Sequence, residues 1–107
     1  MKEGGNVFDA AISALICSSL TQIQSMGLLG GFLLTVYIKS ERKSFYVDAQ
    51  IASPKKFKLP LKNLNDVKQG GLACGTPGFL KGLWEIHKKY GSITWKNLMR
   101  PTLDLCN

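Results

Sequence analysis

A chain of 107 residues is one domain or a piece of one, and it is long enough to bury a core. Its composition, 45% apolar and 20% charged, excludes a disordered polyelectrolyte. A net charge of +7 leaves three readings open: an acidic partner, an anionic membrane surface, or a basic exterior facing water.

The apolar material is concentrated in residues 4–38, where no charge occurs between Ala10 and Ile38. A membrane span needs ~18 or more uninterrupted apolar residues, and Ser18, Ser19, Thr21, Gln22, Gln24 and Ser25 break this run in its middle. It therefore reads as two buried elements of a core, with membrane attachment as a rival. Met1-Lys2-Glu3 leads into no apolar stretch of signal-peptide form. Asn6 is a good N-cap, with Asp9 placed to reach back to it, and a helix is predicted from residue 7 to about residue 20. Val7, Phe8, Ala11, Ile12, Leu15, Ile16 and Leu20 cover more than one stripe, which predicts burial on most sides. Cys17 lies on this helix as a small hydrophobe. With Cys74 and Cys106 it makes three cysteines in no zinc-ligand spacing, so no metal site and no disulfide framework is implied.

Gly27, Gly30 and Gly31 lead from the helix into residues 32–38, FLLTVYI, whose near-continuous apolar character predicts a strand covered on both faces. Residues 40–43 form a polar connection, and residues 44–48 alternate as a returning strand, giving a β-hairpin. Residues 53–69 read as a basic loop: Pro54 and Pro60 interrupt ladders, while Lys55, Lys56, Lys58, Lys62 and Lys68 supply charge. This run lacks Arg and offers only Phe57 for stacking, which argues against nucleic-acid binding. Thr76 as N-cap and Pro77 at the first position predict a second helix, with Phe79, Leu80, Leu83, Trp84, Ile86, His87 and Tyr90 on its inner face. Lys81, Glu85 and Lys89 fall at ion-pair spacing on its outer face, and Gly91 ends it. Thr94 caps a third helix, with Trp95, Leu98 and Met99 inward and a break or kink near Pro101.

No self-contained chemistry is visible in these residues. The one histidine, His87, sits among aromatics with no nucleophile or carboxylate placed beside it by spacing, and reads as a packed imidazole. The turn MGLLGGF matches neither phosphate-binding glycine motif, because it precedes a strand. No cofactor is implied.

Three stretches together resemble the γ-glutamyltransferase (glutathione hydrolase) family at the start of its large subunit. GGNVFDAAI, beginning at Gly4, is similar to that family's GGNAxDAAIA helix. QSMGLLGGF, beginning at Gln24, is similar to its QSxGIGGGxF turn. TPGFLKGL from Thr76, followed by Tyr90-Gly91, Trp95, Leu98 and Pro101, resembles VPGxxxGLxxxHxxYGxLPWxxLxxPA. The resemblance implies an α/β fold of αββα N-terminal-nucleophile hydrolase type, present here in part as helix, β-hairpin and helices. It implies that residues 1–107 are a truncated or degenerate N-terminal segment of such a domain. In that family a threonine at the small subunit's N-terminus attacks the γ-glutamyl amide with its own amine as base. Thr21, Thr35, Thr76, Thr94 and Thr102 match no such position, so catalytic residues are expected to be absent and the chain inactive alone.

The family's large subunit also holds the substrate α-carboxylate with an arginine in a D/N-x-R-E-x-A-P stretch. The corresponding run here is Asp48-Ala49-Gln50-Ile51-Ala52-Ser53-Pro54, which puts Gln50 at the arginine position as the substrate-binding candidate. Leu29 in place of a glycine, Ile23 in place of a proline and Phe79 in place of an acidic residue are further departures. The implied partners are a γ-glutamyl substrate such as glutathione, once the rest of the enzyme is present, and a complementing subunit or a second copy of the chain. The resemblance also implies an exported or membrane-anchored protein, although no export segment is visible. A non-catalytic basic interaction module is the rival from another class.

Overall fold

The computed structural model describes residues 4–55, 65 and 68–106. Lys56, Phe57, Lys58, Pro60 and Lys62 of the basic loop lie outside the described residues. The chain order is α1 (Val7–Thr21), β1 (Phe32–Ile38), β2 (Lys43–Ala49), a short 3₁₀ turn at Gly71–Ala73, α2 (Phe79–Tyr90) and α3 (Trp95–Leu105).

Helix α1 begins with the capping box expected of Asn6 and Asp9. The Asn6 side chain accepts from the amides of Phe8 (2.9 Å) and Asp9 (3.1 Å), and the Asn6 amide donates back to Asp9 Oδ2 (3.0 Å). Burial on most sides did not materialise. Ile12 and Ile16 are buried, whereas Val7 and Leu20 face outward at 64% and 43% exposure. Packing decides this, because α2 and α3 cover one side of α1 and nothing described covers the other.

Strands β1 and β2 pair antiparallel, with Phe32 opposite Ala49, Leu34 opposite Val47 and Val36 opposite Phe45. These residues form the inner face, on which α2 packs. The expectation of a strand covered on both faces is corrected: burial alternates along β1, and Leu33, Tyr37 and Tyr46 are exposed on the outer face. A fully apolar strand and a one-sided strand differ only in what lies above them, which local sequence does not encode.

Phe79, Leu83 and Ile86 of α2, Leu98 of α3, and Ile12 and Ile16 of α1 make the buried cluster. Leu80 and Trp84, expected inward, are 39% and 44% exposed. Thr76 does not cap α2, because its backbone is committed to an isolated bridge with Ala52. The helix starts two residues later, with Gly78 at the N-cap and its first turn held by Gly30. Neither Lys81–Glu85 nor Glu85–Lys89 comes within ion-pair distance; Lys89 Nζ lies instead over the Tyr90 ring, 5.1 Å from its centroid. Thr94 caps α3 as expected through the Asn97 amide. Helix α3 runs unbroken past Pro101 to Leu105. Pro101 and Asn97 both sit at the surface, where a carbonyl left without its helical donor meets water. Among the described residues no helix is long and apolar enough to cross a membrane.

Candidate functional site

The three stretches that carry the family resemblance, and the run containing Gln50, are far apart in sequence. The fold brings the glycine turn, the start of α2 and the end of β2 together. Gly30 O accepts from the amides of Gly78 (3.2 Å) and Phe79 (3.1 Å), which ties the turn before β1 to the N-terminus of α2. Ala52 and Thr76 exchange two backbone bonds, of 3.1 and 2.8 Å, which tie the chain beyond Gln50 to the same point. Between these ties, Ala49 is 7% exposed and Gln50 is open to solvent. The Gln50 amide donates to Asp48 Oδ1 at 3.0 Å, a local Asx-type turn that ends the strand.

Close backbone approach requires glycine here. A Cβ on Gly31 would stand 2.7 Å from Ala49 O, Gln50 Cα and Ile51 N. A Cβ on Gly78 would overlap the Ala49 carbonyl oxygen and stand 2.7 Å from Gln50 O. Residue 50 is thus an exposed side chain on a backbone pressed from two elements. Its carboxamide donates and accepts only neutral hydrogen bonds, without the charged fork of a guanidinium. A groove of about 340 Å³ runs along Leu15, Met26, Gly31, Phe32 and Phe79. Another, of about 240 Å³, runs along Ile51–Pro54 and Leu72–Gly75. A further groove, of about 530 Å³, lies between β2 and the second half of α2, and Gln50 lines none of the three.

A second polar cluster escaped the sequence reading, which assigned Asp9 to capping alone. Asp9 is 2% exposed, and its Oδ2 accepts from Asn6 N (3.0 Å), Ser92 N (3.0 Å) and Ser92 Oγ (2.6 Å). Asn6 Nδ2 donates to Tyr90 O at 2.6 Å, so both capping residues of α1 reach the turn joining α2 to α3. Burial pushes the Asp9 carboxyl up. Bonds from the Ser92 hydroxyl and the Asn6 and Ser92 amides, with the His87 imidazole nearby, outweigh that and hold it below its ordinary value. The signal in the sequence was Ser92 directly after Gly91, but nothing local tied it to a residue 83 positions earlier.

His87 is packed, as its aromatic neighbours suggested, with its ring against Trp84 (5.9 Å) and Trp95 (5.1 Å). Its Nε2 lies 2.8 Å from Ile93 O and 3.8 Å from Asp9 Oδ1. A carbonyl only accepts, so Nε2 carries the proton and is unavailable as a base. Among the described residues no group of three or more His, Cys, Asp or Glu could hold a metal ion.

Comparison with known proteins gives the arrangement its class. The chain superposes on the gamma-glutamyltranspeptidase from Pseudomonas nitroreducens complexed with L-DON, with TM-score 0.82 and 30% identity. The match covers 96% of this chain and 32% of that one. The Helicobacter pylori gamma-glutamyltranspeptidase shares the fold, with TM-score 0.85 at 24% identity over 97% of this chain and 32% of that one. The class is therefore an N-terminal-nucleophile hydrolase sandwich, of which helix, hairpin and helix pair are a part. The family model described as gamma-glutamyltranspeptidase matches residues 1–107, and the chain belongs to that family. The mouse (Mus musculus) "Glutathione hydrolase 5 proenzyme" is 35% identical over 98% of the chain. The chain spans only 19% of that relative's length.

Proposed function

We propose that these residues form the substrate-carboxylate wall of a γ-glutamyl amide-cleaving site, with glutathione as the representative substrate. The supporting observation is the convergence on residue 50: Gly30-Gly31, Gly78 and the Ala52–Thr76 bridge surround the one position where the family resemblance places a carboxylate-binding arginine. None of Thr21, Thr35, Thr76, Thr94 and Thr102 stands where the family resemblance puts the attacking threonine, and on this reading the 107 residues by themselves neither cleave nor transfer the glutamyl group. Gln50 offers a neutral hydrogen bond where a guanidinium would offer charge-assisted ones, which makes capture of the α-carboxylate weak.

The purified chain incubated with γ-glutamyl-p-nitroanilide is expected to release no nitroaniline above background. In an NMR titration with glutathione, Gln50→Arg is expected to tighten binding about tenfold. That corresponds to the ~1.4 kcal/mol separating a neutral from a charge-assisted hydrogen bond. Turnover by the chain alone would overturn the inactivity, and unchanged affinity would overturn the role of residue 50.

A second reading concerns partners. The outer face of the hairpin carries Leu33, Tyr37 and Tyr46 at 66%, 62% and 78% exposure. That patch supports docking of a complementing polypeptide or of a second copy.

A further inference from the structure

We infer that Gly31 and Gly78 are positioning residues for position 50, a role that rests on the reading of Gln50 as a substrate contact. Residue 50 is exposed, and an exposed residue at a strand end ordinarily has freedom that would blunt directional binding. Here its backbone is closely flanked by two other segments. A Cβ on Gly31 would stand 2.7 Å from Gln50 Cα, and one on Gly78 would stand 2.7 Å from Gln50 O. Both glycines lie in normal backbone regions, so what they provide at these points is room rather than positive φ. The two elements that supply them are themselves joined, because Gly30 O holds the first two amides of the α2 turn. From beneath, the methyl of Ala49 fills the space left by Gly82 beside the Phe32 ring. The peptide before residue 50 is therefore located by β1, β2 and α2 at once, and its side chain projects from a fixed base. A binding group held this way loses little freedom when it meets a carboxylate.

The reading predicts a coupling between residue 50 and its frame. In the 107-residue chain, Gln50→Arg raises glutathione affinity about tenfold. Adding Gly78→Ala abolishes most of that gain, because the new methyl pushes the Ala49 carbonyl and re-aims the side chain. Ala49→Gly serves as a second variant that introduces no overlap and only loosens the strand end. It too is expected to reduce the gain, and to raise the mobility of the residue-50 amide in ¹⁵N relaxation. Gly27→Ala is the control, since a Cβ there meets nothing within 4 Å.

The readout is the ratio of glutathione Kd values with Gln and with Arg at position 50 in each background. A merely structural glycine would lower the melting temperature and leave that ratio at about tenfold. A ratio unchanged in both folded variants overturns the positioning role. If Gln50→Arg alone brings no gain, the substrate-contact reading fails. The positioning role then falls too if the residue-50 amide stays as ordered in Gly78→Ala and Ala49→Gly as in the parent chain.

Discussion

Asp9 carries a carboxylate at 2% exposure, and three donors on Oδ2 are what make that tolerable. Because its folded pKa lies below its ordinary value of 3.8, its contribution to stability is fully present above the unfolded pKa. That contribution is lost as pH falls through the lower, folded value. Asp9→Asn keeps the shape and removes the charge, so it is expected to cost about 2–3 kcal/mol at neutral pH. Urea unfolding from pH 7 downward should show the gap to the parent chain closing in the acid range. Parallel curves over the whole series would refute the assignment. Half of this cluster was legible in the sequence. Asn6 and Asp9 announce a capping box at short range, whereas Ser92 and Tyr90 join it only because α1 runs back along the α2–α3 turn.

At the scale of elements, α2 is the piece through which the others meet. Its N-terminal turn hangs on Gly30, its buried side chains contact α1 and α3, and its Tyr90 ring stacks on Phe8 (4.8 Å) and Phe45 (5.3 Å). Leu83, with no exposed surface, is at the centre of this packing. Leu83→Ala is expected to destabilise the fold by about 2–5 kcal/mol, since the side chains of three helices cannot all collapse into the space. A loss under 1 kcal/mol in equilibrium denaturation would mean that α2 is not the keystone. Periodicity found this helix and its end at Gly91 correctly. Its start was misplaced at Thr76 because a Thr-Pro pair imitates a cap, while Thr76 is spent on a backbone bridge to a residue 24 positions earlier.

At the scale of the molecule, α2 packs on one face of a two-stranded sheet, and among the described residues nothing covers the other. Two strands alone make a marginal sheet, so the open face carries a cost unless something docks on it. Tyr46, at 78% exposure opposite Thr35, stands in the middle of that face. Tyr46→Lys is expected to reduce concentration-dependent association of the chain in sedimentation velocity while leaving the helical signal in circular dichroism intact. Equal association by both chains would remove this face as the contact.

The sequence by itself determined what short-range patterns carry: the caps of α1 and α3, the hairpin, the glycine-lined turn before β1 and the family likeness, which the family match over residues 1–107 confirms. Residue 50 could be singled out there by resemblance, but its surroundings could not be foreseen. Only the tertiary structure decided that Gly31 and Gly78 press on its backbone, that Asp9 reaches Ser92, and that β1 is bare on one side. Each of these depends on contacts between residues distant along the chain. Periodicity specifies which face of an element is apolar, and only packing specifies what lies against it.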